Sequence, residues 1–154
     1  MKHELLFLGR TKDGFIADGI EAYSSRLKHY TNFSISILKE KKKGNRAKSL
    51  KGDQGVLLLK TVPAGALIVA LDSRGSQFSS ESFARKIEEW ELRGIRQVNY
   101  LIGGPDGLSN DVIESADLLL SLSKMTFTHD MVRLFLVEQL YRAYTIKAGE
   151  KYHK

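Results

Sequence analysis

The stretch Val98-Asn99-Tyr100-Leu101-Ile102-Gly103-Gly104-Pro105-Asp106-Gly107-Leu108 decides the fold class. Its first five residues make a mostly apolar run of strand length, and the run stops abruptly in glycine and proline. Four further runs have the same character: Glu4 to Leu8, Phe33 to Leu38, Leu67 to Leu71 and Leu118 to Leu122. Several are apolar throughout, as strands covered on both faces are. Segments of helical period lie between them. Phe15, Ile16, Ile20, Tyr23, Leu27 and Tyr30 recur at three- and four-residue steps and predict a helix over 14–30. Ser79 or Ser80 can cap a second helix in which Phe83, Ile87 and Trp90 share a face before Gly94, and Asn110 can cap a short third. Residues 46–60 also have helical character, which Gly52 and Gly55 weaken. The clearest helix runs over 130–147, with Met131, Leu134, Phe135, Leu140 and Tyr141 as its apolar contacts and Gly149 as its stop. Strands alternating with helices predict an α/β fold with a mainly parallel sheet flanked by helices.

The length of 154 residues suits one domain, 1–154. Apolar residues at 42% and charged residues at 27% match soluble globular proteins and exclude disordered and membrane-embedded classes. The absence of cysteine removes disulfides, thiolate metal sites and cysteine nucleophiles together. Leu5 to Leu8 is too short an apolar core for a signal peptide, and Gly65 to Leu71 is too short to span a bilayer, so the expected location is the cytoplasm with no membrane partner. Lys39, Lys41, Lys42, Lys43, Arg46, Lys48 and Lys51 stand against the single acid Glu40, a local excess equal to the chain's whole net charge of +6. Such a run can meet phosphates and give salt-sensitive nucleic-acid binding, or it can be a solvated loop.

Three segments can carry chemistry. The Gly103-Gly104-Pro105-Asp106-Gly107 turn follows a strand, where glycines let backbone approach a ligand and where ligands collect in open α/β sheets. It fits neither GxGxxG nor the P-loop spacing, and it also reads as a plain tight turn. Leu120 to His129 is rich in hydroxyls, which can hydrogen-bond an adenosine while apolar neighbours enclose the base; an ordinary strand-to-helix connection capped by Thr128 or His129 has the same look. The end of the chain sets Tyr152, His153 and Lys154 side by side, suited to stacking, proton transfer and phosphate contact, or simply frayed. His3, His29, His129 and His153 have no ligand spacing, so no metal is expected. No GxSxG elbow supports a serine hydrolase.

Taken in order, Ala70-Leu71-Asp72, Ile102 to Leu108, Leu120 to Thr126 with His129, Arg133, Glu138 to Ala143 and the terminal Tyr152-His153-Lys154 resemble the RlmH family of SPOUT methyltransferases over essentially the whole chain. Thr128 departs from it, standing where the family usually has proline. The resemblance implies a trefoil-knotted α/β fold, a homodimer, and S-adenosylmethionine held by Leu71, Gly103, Leu122, Ser123, Lys124, Met125, Thr126 and Phe127. It further implies methylation at N3 of a pseudouridine in 23S rRNA on assembled ribosomes. For that chemistry the candidate catalytic residues are His153 for the N3 proton or for holding the base, Tyr152 for stacking, Arg142 for charge on the imidate oxygens, and His129 in reserve. Arg142 reads equally well as half of a structural ion pair. Two other functions compete: a noncatalytic ribosome-binding or assembly factor, and a SPOUT enzyme acting on tRNA.

Overall fold

The computed structural model describes residues 1–39 and 47–153. Lys41, Lys42, Lys43 and Arg46 of the basic run lie outside the described residues, as do Lys154 and the side chains of Lys48 and His153. Strands β1 (Lys2–Leu8), β2 (Asn32–Leu38), β3 (Leu67–Gln77), β4 (Gln97–Ile102) and β5 (Leu118–Ser121) form one sheet in the order β2-β1-β4-β3-β5, with every pairing parallel. The helices are α1 (Gly14–Leu27), α2 (Ala47–Thr61), α3 (Ser80–Leu92), α4 (Asn110–Ser115) and α5 (His129–Lys147), followed by a 3-10 turn over Lys151–His153.

Side chains alternate across the sheet because the strand period is two. Leu5 and Phe7 of β1, Val69 of β3 and Val98, Tyr100 and Ile102 of β4 pack on α1, α3 and α5. Leu6, Leu8, Ala70 and Leu101 lie in a second cluster with Leu58 of α2 and Val112 of α4. Both faces are therefore covered, which is why these strands read as continuous apolar runs. Among the described residues no helix is long and apolar enough to cross a membrane.

Local chemistry sets most helix boundaries. Asp13 caps α1, its side chain accepting from Phe15 N; Ser79 caps α3 through Ser82 N, and Thr128 caps α5 through Met131 N. Thr128 thus performs a capping role that proline cannot, since proline has no side-chain acceptor. Helix α4 begins after Ser109 rather than Asn110 as cap, and no side-chain cap bond forms there. Helix α1 ends at Leu27, three residues before the apolar stripe does, because Tyr30 continues the stripe from the turn beyond and packs on Tyr141 and Tyr144. Helix α2 forms despite its glycines. A Cβ on Gly55 would lie 2.1 Å from Ser109 Oγ, so this glycine allows α2 to close on the start of α4.

Strand β3 departs most from expectation. It continues past Leu71 to Gln77 after a register shift, so that Leu71 and Ser76 both pair with Leu120 of β5. The extra residues bring Gly75 onto the β5 backbone, where a Cβ would lie 2.6 Å from the Leu119 carbonyl carbon. The shift bends the strand.

Two buried polar networks fasten the sheet to α5. At the carboxyl end of β1, the fully buried Arg133 guanidinium donates to Leu8 O (2.9 Å), Thr11 Oγ1 (3.2 Å) and Asp130 Oδ1 (3.3 Å), and lies 4.4 Å over the Phe7 ring. Asp130 Oδ2 accepts from Lys12 N (3.0 Å) and Asp13 N (3.3 Å), so the β1–α1 loop is tied to the first turn of α5. At the other end of β1, buried His3 lies between Tyr100 O–H (3.0 Å from Nδ1) and Tyr144 O–H (2.9 Å from Nε2). Tyr144 donates its single proton to Glu91, which also pairs with Lys147. His3 Nε2 therefore carries the ring proton and donates to the Tyr144 oxygen, while Nδ1 accepts from Tyr100.

Burial, reinforced by the nearby chain amino group, pushes the His3 pKa down to about 3. The unfolded chain then binds more protons than the folded one between that value and the ordinary histidine pKa of 6.5, so stability rises with pH across this window. It is fully present above the unfolded value and is lost as pH falls below it. We expect urea unfolding to show about 2 kcal/mol less stability at pH 5 than at pH 7.5 from this group. His3→Gln, which cannot titrate, should remove that part of the slope; an unchanged slope would contradict the neutral buried imidazole.

Candidate functional site

All five strands run parallel, so the irregular stretch of β3 beyond Ala70 and the loops after β4 and β5 lie at one edge. There they surround a cavity of about 660 Å³, within the range of pockets for cofactor-sized molecules. The irregular stretch of β3 contributes Leu71, Asp72 and Ser73; the β4 loop contributes Ile102, Gly103, Gly104, Pro105, Gly107 and Leu108; the β5 loop contributes Leu122, Ser123 and Met125 to Thr128. His129 and Val132 from the first turn of α5 close one wall, and Leu120 of β5 also lines the cavity.

The β4 loop is held by its own backbone. Gly107, at φ +76°, donates its N–H to Gly104 O at 3.0 Å, and the chain folds back so closely that a Cβ on Gly103 would sit 2.6 Å from the Gly107 carbonyl carbon. Gly103 is thus required first by the turn, and the ligand-approach argument made from sequence is secondary. The β5 loop is shaped by its hydroxyls. Ser121 Oγ donates to Ser123 O at 3.0 Å, Ser123 Oγ accepts from Met125 N at 3.0 Å, and Thr128 is occupied as the α5 cap. These bonds shape the loop itself, in addition to any contact the hydroxyls lining the cavity make. Phe127 is fixed by an edge contact with Phe135, ring centres 5.1 Å apart, while Met125 at the cavity is 74% exposed.

In the irregular stretch of β3, the Asp72 carboxylate accepts from the Arg74 side chain, Nε at 2.9 Å and Nη2 at 2.8 Å, and from the Arg74 backbone N–H as well. Its pKa is lowered chiefly by the Arg74 side-chain bond. His129 is half-buried, with Nε2 3.4 Å from Asp130 Oδ1. Among the described residues no group of three histidine, aspartate or glutamate side chains could hold a metal ion.

Of the residues singled out from sequence as cofactor-binding, Leu71, Gly103, Leu122, Ser123, Met125, Thr126 and Phe127 line the cavity; Lys124 is exposed and does not. Of the candidate catalytic residues, His129 lines it, and Arg142 and Tyr152 do not. Arg142 lies thirteen residues along α5 from His129, about 20 Å at 1.5 Å per residue. There it forms the ion pair that was its alternative reading, with Glu138 Oε1 accepting from Nε at 3.0 Å and Nη2 at 2.6 Å. Tyr152 packs against the same part of α5. Sequence reasoning passed over Asp72, Ser73 and Val132 as lining residues and Glu138 as a partner. The available signals were position just past a strand end for the first two and the i,i+4 spacing of Glu138 and Arg142 for the last.

Residues 1–153 match the family described as "Predicted SPOUT methyltransferase". A ribosomal RNA large subunit methyltransferase H from Desulfotalea psychrophila is 60% identical over 100% of both chains, and one from Halothermothrix orenii is 38% identical, again over 100% of both. The chain belongs to the RlmH family of SPOUT methyltransferases. Solved structures agree on the fold of this SPOUT methyltransferase. A "probable methylase family protein" from Haemophilus influenzae has a TM-score of 0.56 at 13% identity, covering 99% of this chain and 70% of that one. A "probable methyltransferase" from Bordetella pertussis has the same score and identity, covering 93% and 95%.

In this SPOUT methyltransferase Gly103→Ala should cost about 1–3 kcal/mol through the clash inside the β4 turn. Gly14→Ala, where the added carbon meets nothing within 4 Å, is the neutral or mildly stabilising control. Denaturant unfolding of the two variants beside the parent checks this, and equal stability of Gly103→Ala would show that the turn can open at no cost.

Proposed function

We propose that this chain, acting as one domain, is an S-adenosylmethionine-dependent methyltransferase that methylates N3 of a pseudouridine in 23S rRNA on assembled ribosomes. It works in the cytoplasm as a homodimer, and the three loops at the cavity are those of a trefoil knot. The observation that carries the reading is the convergence of the irregular stretch of β3 and the loops after β4 and β5 on one largely apolar cavity, in a chain whose relatives bear a ribosomal RNA methyltransferase name over their full length.

The cavity fits S-adenosylmethionine in size and lining: aliphatic walls from Leu71, Ile102, Leu108, Leu120, Leu122 and Val132 suit the adenosine, and the tight β4 turn presents backbone. The group would supply a methyl already activated on a positively charged sulfur. What remains for the protein is alignment of the acceptor nitrogen and help with the N3 proton. His153 is proposed for the proton and Arg142 for the charge left on the base oxygens, with His129 at the cavity wall in reserve. The basic run from Lys39 to Lys51 is proposed to meet rRNA phosphates.

The distance along α5 from His129 to Arg142 supports the dimer. Within one chain the cavity and the tail are well separated, so the reaction needs one subunit's cavity beside its partner's tail.

Methyl-labelled cofactor, incubated with ribosomes from a strain lacking this gene, should label the large-subunit rRNA at a pseudouridine without added metal. Label in tRNA alone would make the chain a tRNA enzyme, and no label with intact ribosome binding would make it a noncatalytic factor.

Removing Tyr152, His153 and Lys154 should abolish transfer and leave fold and cofactor affinity intact. A mixed dimer of one truncated chain and one Gly103→Val chain, shown by circular dichroism and sedimentation to be folded and dimeric despite the clash in the β4 turn, should recover about half the activity per dimer if sites are shared. No recovery would place the tail's action within its own subunit.

A further inference from the structure

The last turn of the chain is docked. Tyr152 donates its phenolic proton to Glu138 Oε1 at 3.0 Å, and the Tyr23 hydroxyl lies 3.3 Å from the same phenol oxygen. The Arg142 guanidinium lies over the Tyr152 ring, 4.7 Å from its centre, and the Tyr141 ring meets it edge-on with centres 4.8 Å apart. Glu138 is fixed from both sides. Oε1 carries Arg142 and Tyr152, while Oε2 accepts from Gln139 Nε2 at 2.7 Å, and Gln139 Oε1 in turn accepts from Ser80 Oγ at 2.7 Å at the start of α3. One carboxylate therefore joins the tail, α5 and, through its neighbour, α3.

We infer that Glu138 is a positioning residue for the reaction: it locks the C-terminal turn onto α5, and Tyr152 is the anchor of that turn rather than a platform for the target base. The inference rests on the methyltransferase reading of the tail, and it revises the role that stacking would give Tyr152. A base stacks where a ring face is open, but here a guanidinium occupies one face of the Tyr152 ring and the Tyr141 ring packs against it at 4.8 Å between centres. The phenol is also committed as a donor. Burial, with the bonds to Tyr23 and Glu138, raises its pKa above the ordinary tyrosine value, so it stays protonated at any working pH. Because the 3-10 turn spans Lys151–His153, fixing Tyr152 fixes the backbone of the residue proposed to handle the proton. The same carboxylate fixes the Arg142 guanidinium, so removing it loosens two groups at once.

The test uses Glu138→Gln, Glu138→Ala and Tyr152→Phe in the full-length protein with three readouts. The first is trypsin cleavage after Lys151, which is exposed, followed by mass spectrometry of the released tripeptide. The second is S-adenosylmethionine affinity by calorimetry, and the third is kcat and KM for methylation of unmodified ribosomes. A lock predicts that tripeptide release speeds up by about tenfold or more in Glu138→Ala and Tyr152→Phe, the scale of one lost charge-assisted hydrogen bond. It also predicts that kcat falls comparably while cofactor affinity and ribosome KM stay within about twofold. Glu138→Gln keeps the shape and loses the charge, so it should fall between parent and Glu138→Ala, and it serves in place of an alanine variant that fails to fold. Stacking predicts the opposite for Tyr152→Phe, since phenylalanine stacks as well as tyrosine: parental kcat with unchanged release would overturn the inference. If the parent itself methylates no ribosome, the proposed function falls, while the release rates still decide whether Glu138 locks the tail.

Discussion

The buried contact between Asp130 and Arg133 is the point from which the rest of the structure is hung. Arg133 reaches the last carbonyl of β1 and the loop beyond it, and Asp130 collects two backbone N–H groups of that loop. A buried pair of this kind adds little net stability over apolar replacements, but losing one member leaves an uncompensated charge at a cost of about 3–5 kcal/mol. Its value is geometric. It fixes where α5 begins relative to the sheet, and α5 carries the Thr128 cap, the His129 and Val132 wall of the cavity and, farther on, the Glu138 and Arg142 pair that holds the tail. A shift at Asp130 would displace the α5 wall of the cavity and the anchor of the tail together.

What the sequence made legible follows from which signals are local. The five strands were readable because both faces of the sheet are covered, and the long helices because their apolar stripes repeat. Strand order was not readable, since β1 sits between β2 and β4 through pairings with distant residues. The polar stretch Asp72-Ser73-Arg74-Gly75 has no strand character, yet β3 resumes beyond it because Ser76 and Gln77 find partners on β5. Tyr30 extended the α1 stripe past the helix because packing, not helical geometry, places its ring.

The cavity was legible in outline and less so in detail. Glycine at a strand end pointed to the β4 loop, and position alone to the others. The hydroxyl density of the β5 loop pointed to ligand contacts, but it did not reveal that Ser121, Ser123 and Thr128 also bond the loop and the helix start. The tail was the least legible part. A terminal Tyr-His-Lys reads as frayed or functional on the same evidence, and only the tertiary contacts with Tyr23, Glu138, Tyr141 and Arg142 separate these readings.

The strand order also bears on how the molecule comes into being. β1 lies in the interior of the sheet, and its inner neighbour pairs Lys2 with Gln97 and Phe7 with Ile102. During synthesis β1 has only β2 beside it until β4 has emerged, and its other edge stays open through that interval. Long-range parallel pairing of this kind folds slowly and exposes an apolar edge while it waits. The element that closes the cavity, α5, follows all five strands along the chain. The nascent chain therefore has no assembled pocket until α5 has emerged, and its interior strand is the segment that most needs shielding before then.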